Sequence, residues 1–126
     1  MKQRAMFAVL GCLLLFAGAG KPQSQELLKL QISPLVSQAP GFVSVRAIMD
    51  VSDDNRLLEV SAVSQDFSRS STIELSGRSA PSVSTFNYPN LPAGEYEVRA
   101  VLIGANGVRA TVARAARVVP RGGSLQ

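Results

Sequence analysis

The chain has no histidine and no tryptophan, and its one cysteine is Cys12. Without histidine, the serine–histidine–aspartate and cysteine–histidine routes to a strong nucleophile are closed, as are zinc sites of the usual ligand set. Lys21 and Lys29 are the only lysines outside the extreme N-terminus. Neither follows a serine at Ser-x-x-Lys spacing, so a serine–lysine pair has no footing. No glycine-rich phosphate loop appears. Charge of one sign is also scarce: 13 Lys and Arg stand against 9 Asp and Glu. The cations are scattered, and Arg109, Arg114, Arg117 and Arg121 read as a solvated strand face. A nucleic-acid partner needs a clustered basic face and is not expected.

What is present begins with a leader. Lys2 and Arg4 precede an apolar run from Ala5 to Phe16, and Ala17-Gly18-Ala19 supplies small residues of the kind a signal peptidase reads. This predicts cleavage after Ala19 and export to the periplasm or beyond. An uncleaved membrane anchor is the alternative, although Ala5 to Ala19 offers only about 15 residues where a spanning helix needs roughly 20. Val9-Leu10-Gly11-Cys12 opens another, a lipidated Cys12, against which Leu13-Leu14-Leu15-Phe16 carries the apolar run past the cysteine. With cleavage, the mature chain has no disulfide and depends on packing. The expected organisation is a signal peptide (1–19), a linker (20–26), one β-domain (27–120) and a tail (121–126).

Across the domain, apolar residues alternate with period two between turn signals, which predicts an all-β sandwich. The expected strands are Leu28–Ile32, Phe42–Val51, Arg56–Ser64, Thr72–Ser76, Val83–Tyr88, one running from Tyr96 through Leu102, and a last beginning at Val108. Helix competes over 56–64 and over the alanine-rich 111–118. For the final hairpin, parity sets the register. Val98, Ala100 and Leu102 share a face with Val108, Ala110 and Val112 only if opposed residue numbers sum to an even value. A three-residue loop, Ala105-Asn106-Gly107, would satisfy this and set Glu95 opposite Arg117 and Arg99 opposite Ala113. Arg114 then points inward, so a bulge near Ala113 is expected to return Val119 to the core.

Asn90-Leu91-Pro92-Ala93-Gly94-Glu95-Tyr96 resembles the corner of bacterial immunoglobulin-like and fibronectin type III-like modules, where a tyrosine hydroxyl bonds back to upstream backbone. The resemblance implies a seven-stranded immunoglobulin-like antiparallel β-sandwich with Leu91, Pro92, Gly94 and Tyr96 forming the corner. Its specific motif covers about ten residues. Missing tryptophan and paired cysteines exclude an antibody-type domain. Phe86 through Tyr96 is also similar to the prealbumin-like regulatory domains appended to carboxypeptidases, which leaves the strand order open.

Two clusters could carry binding. Asp50, Asp53 and Asp54 gather hard oxygen donors that suit calcium, without the glycine and terminal glutamate of an EF-hand loop. A solvated turn with Asx capping is the favoured reading of the same residues, so no metal site is expected. Phe67 and Arg69 place an aromatic and a guanidinium in a serine-rich connection, a composition found at contact surfaces. Phe67 alternatively plugs the sandwich end. Glu95 and Glu97 lie on one strand face, where Arg117 and Arg99 are their expected partners. Together these features suggest a non-catalytic binding or structural module of the bacterial envelope, without cofactor, whose partner is a protein or glycan. A prealbumin-like ligand-binding domain and a calcium-dependent envelope module are the alternatives.

Overall fold

The computed structural model describes residues 27–121. Eight strands follow one another: β1 (Leu28–Ser33), β2 (Val36–Gln38), β3 (Gly41–Met49), β4 (Asn55–Val63), β5 (Ser68–Glu74), β6 (Val83–Leu91), β7 (Gly94–Gly104) and β8 (Gly107–Val119). They form a three-stranded sheet in the order β1-β3-β6 and a five-stranded sheet in the order β2-β8-β7-β4-β5. The architecture is the expected all-β sandwich with eight strands in place of seven. It is also not wholly antiparallel, because β2 runs parallel to the end of β8, pairing Val36 with Arg117 and Gln38 with Val119.

Period-two patterning drives the assembly. In β3, Val43, Val45, Ala47 and Met49 turn inward; in β4, Leu58, Val60 and Ala62 do so; in β7, Tyr96, Val98, Ala100 and Leu102. Each strand places one face on a single core, and the hydrophobic effect rewards that burial by about 25 cal/mol per Å² of apolar surface. β3 ends at Met49, which leaves Val51 exposed in the following turn. The serines from Ser68 to Ser71, read from sequence as a loop, belong to β5. Ser71 accepts a place on the inner side because the buried Tyr88 hydroxyl bonds its Oγ at 3.0 Å and the Val60 carbonyl at 3.2 Å. Tyr88 therefore stitches β6 of one sheet to β4 and β5 of the other.

The register of the final hairpin is the one parity requires, with Glu95 opposite Arg117 and Arg99 opposite Ala113. Arg117 Nε lies 2.9 Å from the Glu95 carboxylate, and Arg99 Nη2 lies 2.9 Å from Glu97. The route to that register differs. Gly104 pairs with Gly107 across a two-residue turn, and the extra residue is inserted at Arg109, where the ladder shifts between Ile103↔Val108 and Leu102↔Ala110. A bulge adds one residue just as a longer loop would, so parity is restored. No second bulge occurs near Ala113. Arg114 keeps its place opposite Val98, and Val118 rather than Val119 is buried. Residues 111–118 are strand, not helix.

At the crossover from β6 to β7, Asn90 adopts a left-handed φ of 61°, a conformation that asparagine tolerates better than most residues. Pro92 and Ala93 then complete the turn, and the Tyr96 hydroxyl donates to the Pro92 carbonyl at 2.7 Å. Tyr96 is 3% exposed and Leu91 fully buried. Tyr96→Phe should lower unfolding free energy by about 1 kcal/mol, because it removes the part-buried hydroxyl–carbonyl bond that closes the corner. Urea denaturation of the two proteins checks this, and an unchanged midpoint would reduce Tyr96 to a packing residue.

Candidate functional site

The Ser52–Asn55 turn, the hairpin joining β7 and β8, and the 3-10 turn at Gly77–Ser79 meet at one end of the sandwich. The first turn closes through Asn55 N–H donating to the Ser52 carbonyl at 3.2 Å and Asp54 N–H donating to Ser52 Oγ at 3.1 Å. Asn55 is 3% exposed; its Nδ2 donates to the Asp50 carbonyl at 3.0 Å, and its Oδ1 accepts from Arg109. Arg109 Nε also lies 3.4 Å from Asp54 Oδ2, while Asp54 Oδ1 accepts from Ala105 N–H at 3.1 Å. Gly104 allows this approach: a Cβ there would fall 2.8 Å from the Asp54 carbonyl oxygen.

Asp53 faces the other way. Arg78 Nε and Nη2 donate to its two carboxylate oxygens at 3.1 and 3.4 Å, and Arg56 donates to its backbone carbonyl. Arg56 also donates to the Asn55 carbonyl at 3.0 Å. The two arginines thus surround one residue. They line a cavity of about 390 Å³, with Ser76 and Ser79 on its wall and Leu75 beneath. The cavity is a shallow depression, open to solvent rather than enclosed. Guanidinium forks and hydroxyls are donors suited to planar or tetrahedral oxyanions.

The three carboxylates singled out in the sequence are therefore divided. Asp54 is held by Arg109, Asp53 by Arg78, and Asp50 contributes its backbone carbonyl to Asn55. Among the described residues no group of three or more His, Cys, Asp or Glu side chains could hold a metal ion. Phe67 and Arg69 lie at the opposite end of the β4–β5 ladder, where Ala62 pairs with Arg69. Phe67 packs partly buried against the core. The Arg69 guanidinium sits 5.3 Å above its ring centroid and donates to the Pro89 carbonyl at 3.1 Å. Arg56 and Arg78 carried no local signal in the sequence, since they belong to separate elements that only the folded chain brings together. Cys12 and the leader lie outside the described residues. No helix among the described residues is long and apolar enough to cross a membrane.

No protein-family model matches the chain, and no curated protein matches it by sequence. Among solved structures, it is similar to the superoxide reductase (neelaredoxin) of Ignicoccus hospitalis, with a TM-score of 0.60 and 12% identity over 73% of this chain and 80% of the reductase. A variant of that reductase gives a TM-score of 0.61 and 11% identity over 79% and 92% of the two chains. A family 76 glycoside hydrolase from a bovine Bacteroides thetaiotaomicron strain gives 0.50 and 22% identity, over 72% of this chain and 20% of the hydrolase. At these identities the likeness is one of fold. It corrects the sequence reading of a non-catalytic binding or structural module of the bacterial envelope, because the sandwich is of a kind that serves as an enzyme in superoxide reductase. The prealbumin-like and calcium-dependent versions of that reading fall with it.

Proposed function

We propose that this chain recognises an oxyanion-bearing ligand in the cup formed by Arg56, Arg78, Ser76 and Ser79. The observation that carries the reading is that both guanidiniums bond the same residue, Asp53, at the mouth of one cavity. Charge-assisted hydrogen bonds from arginine are about twice as strong as neutral ones and specify planar groups. Sulfate is a suitable probe. In calorimetric titration of the full chain, Arg78→Gln should weaken sulfate binding about tenfold, equivalent to about 1.4 kcal/mol. The exposed Asp53–Arg78 pair contributes little to stability, so the melting temperature should hardly move. Equal sulfate affinity in the wild type and in Arg78→Gln would remove Arg78 from the site.

Reduction of superoxide, the reaction named for the reductases of similar fold, is not carried over. One-electron chemistry of oxygen species relies on haem, flavin, copper or non-haem iron, and protein sites for these metals draw chiefly on imidazole and thiolate ligands. The sequence has no histidine and only Cys12 for a thiolate. The donor set does not fit such a centre.

Two finer readings accompany the cup. The pattern from Lys2 to Ala19 supports export, which N-terminal sequencing of the protein from its native host tests directly: a chain starting at Gly20 supports it and one starting at Met1 opposes it. The corner from Leu91 to Tyr96 supports kinship with bacterial immunoglobulin-like and fibronectin-like modules.

A further inference from the structure

We infer that Asp53 is the cup's built-in occupant and that the ligand which displaces it carries a phosphoryl group. The inference rests on the oxyanion reading above and gives it a chemical class. The Asp53 carboxylate already does what a ligand's oxyanion would do: it takes two N–H donors of Arg78, on Nε and Nη2, in a forked arrangement while Arg56 holds its backbone. The Arg78 and Asp53 side chains are 68% and 78% exposed, and ion pairs so open to water are weakly held and exchange readily.

The occupant's charge decides which ligands can displace it. A free carboxylate would replace Asp53 like for like, one negative charge for another. It would compete with a group tethered to the site at high effective concentration. A phosphate monoester brings a charge of about −1.5 to −2 at neutral pH and three strong acceptor oxygens. Those three oxygens offer more acceptor sites to Arg78, Arg56, Ser76 and Ser79, which line the depression, than the two of a carboxylate. Asp54, the nearest other carboxylate in the turn, is engaged by Arg109 and by Ala105 N–H, so its charge is partly neutralised. Gly77, at φ 57°, keeps the 3-10 turn close to Asp53, since a Cβ there would lie 3.0 Å from the Asp53 carbonyl.

The test is calorimetric titration of the full chain and of Asp53→Asn with inorganic phosphate and with acetate, followed by co-sedimentation with vesicles of phosphatidylcholine alone or containing phosphatidic acid. Wild type should bind phosphate at least about tenfold more tightly than acetate, given the extra charge and acceptors. Asp53→Asn should bind both anions more tightly, by about threefold or more, because the tethered competitor is gone. Asp53→Ser provides the same comparison should asparagine disturb the turn. Phosphate affinity unchanged or lowered in both variants overturns the role of Asp53. Acetate binding wild type as well as phosphate does overturns the phosphoryl class. Absence of binding by either anion to wild type and variants overturns the oxyanion site itself. Binding of the phosphatidic-acid vesicles beyond the phosphatidylcholine control assigns the phosphoryl group to a lipid headgroup; binding of inorganic phosphate alone assigns it to a soluble ligand.

Discussion

Asn55→Leu should cost about 3 kcal/mol of unfolding free energy, the upper range for stranding buried and charged hydrogen-bonding groups. Leucine keeps the branched heavy-atom outline of asparagine while removing its hydrogen-bonding atoms, so the lost polar contacts add to any strain from its larger volume. Asn55 is the buried polar residue of the described chain, 3% exposed, and it joins three segments: its amide donates to the Asp50 carbonyl and its oxygen accepts from Arg109. Leucine leaves that carbonyl without its amide donor. It also removes one acceptor from a guanidinium whose side chain is only 19% exposed. The bulge at Arg109 and the seating of the hairpin on the Ser52–Asn55 turn should loosen together. Urea denaturation measures the effect, and a loss under about 1 kcal/mol would mean that water replaces both contacts at little cost.

Arg114→Val should self-associate more strongly than the wild type. Arg114 lies opposite Val98, which is fully buried, and between the inward residues Val112 and Ala116, yet it is exposed. It extends to water from an inward position. β2 pairs only with Arg117–Val119, so β2 leaves the edge of β8 from Val108 to Ala116 uncovered. An approaching strand would have to bury the Arg114 charge, and inward charges on edge strands are a known defence against such pairing. Arg69, half-buried, also takes an inward position at an edge of this sheet, on β5 opposite the fully buried Ala62. Valine at 114 would remove the charge and raise strand propensity. Sedimentation velocity should show Arg114→Val as larger species than wild type and Arg114→Lys, which should sediment alike. An Arg114→Val that sediments like the wild type would show that the edge is guarded by another feature.

Sequence pattern revealed the sandwich because burial in sheets has a strict period of two. The same strictness made the Glu95–Arg117 register legible through parity. Parity counts inserted residues without locating them, so a three-residue loop and a bulge at Arg109 were equivalent until the contacts of Arg109 with Asn55 and Asp54 decided between them. Ser68–Ser71 looked like a loop because serine has little strand preference of its own. Its pairing with β4 is supported by Tyr88, a residue distant in sequence. β2 is three residues long and pairs through its backbone, which leaves no side-chain pattern to read. The aspartates lie at the end of the molecule where the proposed cup forms. Their chemistry was not legible, because the cations that engage Asp53 and Asp54 come from a separate turn and from β8.

The claim on which the functional account rests is that an oxyanion binds between Arg56 and Arg78. Backbone amide chemical-shift mapping of the isotopically labelled full chain, titrated with inorganic phosphate, addresses it most directly. The account predicts saturable shifts at Asp53, Arg56 and Ser76 through Ser79, with the Phe67–Arg69 end unmoved. Shifts that never saturate, or that centre on Phe67 and Arg69, would contradict it.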